Sequence, residues 1–121
     1  MRDLKKKCEY MKWYYSATAR GRFNRLRDGA KTQSAYFDVD PERFIEWWDN
    51  QPKTCHYCNQ PLTTSTNRMH RLSDMTVDRK DNAIGYILSN IVLACRRCNL
   101  MKGEWLTEQQ TLEIAGRYFE S

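Results

Sequence analysis

From Leu4 to Ala30 the apolar positions Leu4, Cys8, Met11, Tyr15, Ala19, Phe23, Leu26 and Ala30 recur at steps of three and four residues. That period puts one side chain per turn on a common face and predicts an amphipathic helix, with Gly21 as a point where it could bend or divide. A second helix is expected from Asp40 to about Asp49. Asp40 can cap the free N–H groups, Pro41 suits the first helical position, and Val39 and Phe44 are spaced as a hydrophobic staple. Phe44, Ile45, Trp47 and Trp48 fall mostly at helical spacing and read as core.

After Gln51 the helical period stops. Pro61 to Asp74 is polar and rich in turn residues, and reads as a loop. Met75 to Arg79 and Ile91 to Ala94 read as strands, joined through Lys80-Asp81-Asn82-Ala83-Ile84-Gly85, whose residue types favour turns. A short helix is expected from Asn99 to about Gly103. Thr107 with Gln110 forms a capping box for a C-terminal helix carrying Leu112, Ala115 and Phe119, and Trp105 before it reads as core. The fold class is therefore α+β in one domain: a helical leader over 1–50, a central unit over 51–106 and a C-terminal helix over 107–121.

Composition sharpens this picture in two places. With 40% hydrophobic residues and a mean hydropathy of -0.84, the 121-residue chain has a modest core and no run of the ~18 apolar residues that a membrane span needs. The formal net charge is +5, yet residues 1 to 32 alone hold ten Lys or Arg against three Asp or Glu. A cationic segment of that density suits a phosphate backbone, which makes Arg20, Arg22, Arg25, Arg27 and Lys31 candidate nucleic-acid contacts; the alternative is a solvated helix face. The opening Met-Arg-Asp-Leu-Lys-Lys-Lys has no apolar signal run, so a reducing, cytoplasmic setting is expected.

Two Cys-x-x-Cys pairs, Cys55/Cys58 and Cys95/Cys98, flank the predicted hairpin. Four thiolates at this spacing can surround one Zn²⁺ tetrahedrally and tie the hairpin ends together, adding the folding energy that the core lacks. Two disulfides or a few buried thiols are the alternative; a reducing setting disfavours the disulfides, and the two-residue spacing is typical of metal ligands. Cys8, unpaired in a helical pattern, reads as a packing residue.

The order knuckle, strand ending in Val77-Asp78, glycine-containing loop, Asn90, second strand, knuckle with Asn99, then Lys102 resembles the HNH endonucleases, the ββα-metal or His-Me finger group. The resemblance covers about Cys55 to Leu106, and Phe37-Asp38-Val39 in the leader is similar to that of small phage-type members. It implies a zinc-stabilised ββα-metal core in a protein of a bacterial or phage-infected cell, with DNA as partner and metal-dependent phosphodiester hydrolysis as activity. Asp78 and Asn99 would be oxygen ligands of a catalytic Mg²⁺ or Mn²⁺, and Asn90 would hold the loop. Lys80 and Lys102, with Arg96 and Arg97, would neutralise phosphates.

The chain departs from that family at Arg79, where a catalytic His is usual. A guanidinium stays protonated and cannot serve as a general base, although it can hold a phosphate or stabilise developing charge. His70 is then the candidate base, while His56 inside the first knuckle reads as a packing residue. Asp81 and Asn82 read as turn residues, and Asp81 and Asp74 are weaker candidates for a metal or water contact. Two readings of function stand: a metal-dependent endonuclease, and a catalytically weak or inactive HNH-like zinc module that binds nucleic acid or a protein. A zinc-ribbon interaction protein is a third, disfavoured by the spacing of Asp78, Asn90 and Asn99.

Overall fold

The leader stripe divides at Thr18. In a computed structural model describing Tyr10, Tyr14, residues 18–64 and residues 70–119, Thr18 Oγ1 accepts from Gly21 N at 3.0 Å and donates to the Tyr14 carbonyl at 2.6 Å. Helix α1 therefore starts afresh at Ala19 and runs to Thr32. A Cβ on Gly21 would stand 2.0 Å from the Tyr14 oxygen, so only glycine allows this close approach. The expectations for Leu4, Cys8, Met11 and Tyr15 lie outside the described residues.

Strand β1 (Phe37–Asp38) leads into helix α2 (Pro41–Asn50), capped by Asp40, whose Oδ2 accepts from Arg43 N at 3.1 Å. Phe44 and Trp48 are buried, with Trp47 packed against them and Ile45 half-buried. Strands β2 (Met75–Arg79), β3 (Tyr86–Ile87) and β4 (Ile91–Cys95) follow, then helices α3 (Arg96–Lys102) and α4 (Glu108–Tyr118). β2 pairs antiparallel with β4 from Met75 opposite Cys95 to Arg79 opposite Ile91. β1 pairs parallel with β3, Phe37 opposite Tyr86. These two short strands are too short for an alternation of side chains to mark them in the sequence.

Alternation along β4 builds two cores, one on each face of the hairpin. Ile91 and Leu93 join Phe23, Phe44, Trp48 and Tyr86, while Val92 and Ala94 face the cysteines and Ala115 of α4. Ring contacts run from Phe44 through Phe23 and Phe37 to Tyr86 at centroid spacings of 5.6, 5.7 and 6.2 Å, and so bolt the leader to the hairpin. Among the described residues no helix is long and apolar enough to cross a membrane.

Two expectations are corrected here. Helix α3 begins at Arg96 rather than Asn99, because Cys95 itself is the N-cap: its Sγ accepts from Cys98 N at 3.4 Å. Trp105 is not core. Trp105 N and Leu106 N both bond the Lys102 carbonyl, at 3.2 and 3.1 Å, and the tight turn they close leaves the indole 89% exposed.

Candidate functional site

The sulfurs of Cys55, Cys58, Cys95 and Cys98 all lie within 4.8 Å of one another, buried as free thiols. Cys58 Sγ and Cys95 Sγ are 3.8 Å apart, which matches the ~3.8 Å edge of a tetrahedron with Zn–S bonds of about 2.3 Å. Local folding explains the convergence. The first knuckle turns through Asn59 at a φ of 62°, with Asn59 N bonded to the Cys55 carbonyl at 2.9 Å, and His56 N ties it to the Leu93 carbonyl of β4 at 2.8 Å. The second knuckle is the entry to α3.

Backbone N–H groups of Tyr57 and Cys98 point at Cys55 Sγ and Cys95 Sγ, each at 3.4 Å, and favour thiolates there. Crowding opposes that charge. The shared hydrogen bond with Cys55 pushes the Cys95 thiol up to about 11, while bonds from Cys95 and Cys98 hold Cys55 low. One divalent cation at the centre resolves the conflict, so the donor set fits a metal ion such as zinc. His56 lies outside the cluster, with its Nε2 2.8 Å from Glu108 Oε2 on α4.

Asp78, near the end of β2, is buried against the cysteine side of the hairpin. Tyr57 Oη donates to Asp78 Oδ2 at 2.6 Å, and Lys102 Nζ lies 3.5 Å from the same oxygen. Burial, then the bond to Asp78, raises the Tyr57 phenol far above its ordinary value, so it stays a neutral donor. Lys102 is fully buried and also donates to the Arg79 carbonyl at 2.8 Å and to Asn82 Oδ1 at 3.0 Å. The expectation that Lys102 meets phosphate is corrected: its charge lies under the hairpin because those three oxygens enclose it.

Asn90 is buried within the loop. Its Nδ2 donates to the carbonyls of Asp81 and Gly85 at 2.9 and 2.8 Å, and its Oδ1 accepts from Asp81 N at 3.0 Å. Asp81 in turn accepts from Ala83 N at 2.9 Å, a local turn contact. Arg79 points to the opposite face from Asp78, as neighbours on a strand must. Its guanidinium stacks on Tyr86 at 4.9 Å and donates to the Asn82 carbonyl at 3.1 Å.

Asn99 opens onto a cavity of about 490 Å³ between α1 and α3, floored by Met75, Thr76 and Val77 of β2. Arg22, Arg25, Arg96 and His70 line the same cavity, which Asp78 does not. Arg22 is a second correction. It is 9% exposed, donates to the Met75 carbonyl at 3.2 Å and is pushed down to about 10 by burial, so it stands in the wall rather than on the cationic surface.

Arg20, Arg25, Arg27 and Lys31 of α1 are exposed, Arg20 paired with Glu42 at 3.0 Å and Arg27 with Asp28 at 3.4 Å. Lys31 stands on the last turn of α1, and Lys80 is half-buried beside the loop. His70 is exposed at the cavity, 3.9 Å from Asp74. Asp74 is buried and accepts from Thr63 Oγ1 and Arg71 N at 2.8 and 2.9 Å.

No family model matches the chain, and no curated protein matches its sequence. Among solved structures it is similar to the rare-cutting HNH restriction endonuclease PacI, with 20% sequence identity and a TM-score of 0.65 over 78% of this chain and 72% of that one. The fold is similar to that of an HNH endonuclease. Identity this low speaks for the backbone alone, so the roles of residues in this HNH-like chain are argued from their own surroundings. Sequence reasoning missed Tyr57. An aromatic inside a knuckle gives no signal that it reaches Asp78 on a strand 21 residues away.

Proposed function

We propose that the protein is a divalent-metal-dependent endonuclease acting on DNA, with zinc as the ion of its four-cysteine centre. The observation that carries this reading is the cavity on the HNH-like fold, where Asn99 stands among Arg22, Arg25, Arg96 and His70. Arg25 and Arg96 line it and can neutralise phosphates, Arg22 adds positive potential from the wall, and Arg20, Arg27 and Lys31 lie about half a turn round α1, on the helix face away from the cavity.

Asp78 Oδ1 and the Asn99 amide oxygen have no partner among the described residues and are hard donors suited to Mg²⁺ or Mn²⁺. Asn99 lies three residues before Lys102 on α3. Such an ion, when bound, polarises a phosphoryl oxygen and lowers the pKa of its water. His70 is then the imidazole beside the cavity that would serve as base, a role the Arg79 guanidinium cannot take. Incubating supercoiled plasmid with the protein and Mg²⁺ or Mn²⁺ tests the reading: nicking that chelation abolishes is expected, and intact plasmid at enzyme excess would overturn it.

A second reading is favoured by Arg79 itself, which stands in the usual place of the base with its guanidinium held on Tyr86. On that reading the chain is a binding module. It would retain DNA with a steep salt dependence and cut none of it.

A further inference from the structure

Asp78 is gripped at one oxygen only. Tyr57 Oη at 2.6 Å and Lys102 Nζ at 3.5 Å both address Oδ2, and among the described residues nothing addresses Oδ1. The phenol's hydrogen bond, with the ammonium beside it, holds Oδ2 and leaves Oδ1 without a hydrogen bond among the described residues. Tyr57 can do this because it is itself fixed. It lies inside the first knuckle, its N–H points at Cys55 Sγ at 3.4 Å, and its ring meets the His56 ring edge-on at 5.1 Å.

We propose that Tyr57 is a positioning residue which transmits the geometry of the four-cysteine centre to Asp78 and so presents Oδ1 to a catalytic divalent ion. The proposal rests on the endonuclease reading and adds to it a link between the two metal positions: the thiolate centre sets the knuckle, the knuckle sets the phenol, and the phenol sets the carboxylate. Partners at this remove from a metal typically change its affinity or the activity by about 10- to 100-fold. Tyr57 touches no reacting atom; it acts through Asp78.

The test is the full-length Tyr57→Phe variant, which removes one oxygen and preserves the packing volume. Zinc content and Mn²⁺ affinity are measured beside plasmid nicking, with Asp78→Ala for comparison. The expected result is zinc retained, Mn²⁺ affinity down about tenfold, and kcat reduced with KM for plasmid unchanged. Wild-type Mn²⁺ affinity in Tyr57→Phe, with Asp78→Ala losing the ion, would overturn the proposal and leave the endonuclease reading intact. Loss of zinc from Tyr57→Phe would also overturn it, since the phenol would then serve only to hold the knuckle. A wild type that neither binds Mn²⁺ nor nicks removes the endonuclease reading and this proposal together.

Discussion

The guanidinium of Arg79 lies 4.9 Å from the centre of the buried Tyr86 ring and donates to the Asn82 carbonyl at 3.1 Å. Both contacts turn it toward the loop and away from Asp78. A charge held in that way is a poor substitute for a base. If no other group already serves as base, Arg79→His should raise nicking by one or more orders of magnitude, within the roughly 10²- to 10⁴-fold that general-base assistance supplies. Loss of the ring contact should lower stability by about 1 kcal/mol. Comparing Arg79→His, His70→Ala and the wild type on supercoiled plasmid checks this. If Arg79→His cuts less and His70→Ala less still, Arg79 clamps phosphate and His70 is the base.

Cys95 is at once a candidate metal ligand, the last residue of β4 and the N-cap of α3. Its replacement by Ser should therefore remove a metal ligand while leaving a hydroxyl able to cap α3. A structural zinc site contributes roughly 10 kcal/mol or more of binding free energy. Cys95→Ser is expected to lose zinc and to unfold or aggregate, read by metal analysis and circular dichroism. Native protein purified under reducing conditions should carry about one zinc per chain; a value far below one contradicts the assignment.

Asn90 satisfies three backbone groups of the loop through one side chain. Asn90→Ala leaves those groups unpaired in a buried position and should cost about 3 kcal/mol, at ~1 kcal/mol per bond. Urea denaturation measures it. A loss under about 1 kcal/mol would mean that water replaces the amide.

The arginines at the cavity should separate by burial. Arg25→Ala with Arg96→Ala should lower the salt slope of DNA binding by about two and leave stability nearly unchanged. Arg22→Ala should do the reverse, because the side chain fills the wall and bonds the Met75 carbonyl. It is expected to lower the melting temperature more than it changes the slope. Fluorescence anisotropy across a salt series, with thermal melts, tests both statements.

What the sequence disclosed was whatever repeats or punctuates. The Asp40 cap with Pro41, the Thr107–Gln110 capping box and the paired strands 75–79 and 91–95 are local chemistry, and they stand in the structure. The paired knuckles were legible because metal spacing is written in adjacent residues, and the four sulfurs converge. Contacts that depend on distant partners were not legible. Lys102 reads as a surface cation until Asp78, Arg79 and Asn82 are seen around it, and Trp105 reads as core until the turn onto the Lys102 carbonyl points it outward. Arg22 and Arg25 lie on one helix, and only the fold shows that β2 covers the first and leaves the second exposed.

The parallel pair of Phe37 with Tyr86 joins the leader to the loop across the segment that carries the first knuckle and β2. Closing so long a stretch of chain is entropically costly, so this seam should form late, after the hairpin has acquired its own shape. The cationic helix is therefore no detachable tail, since it comes home with the strand that finishes the loop. A chain cut before Asp40 would leave the edge of Tyr86–Ile87 unpaired and the Tyr86 ring without Phe37, an open margin on which a second molecule could lay its own strand.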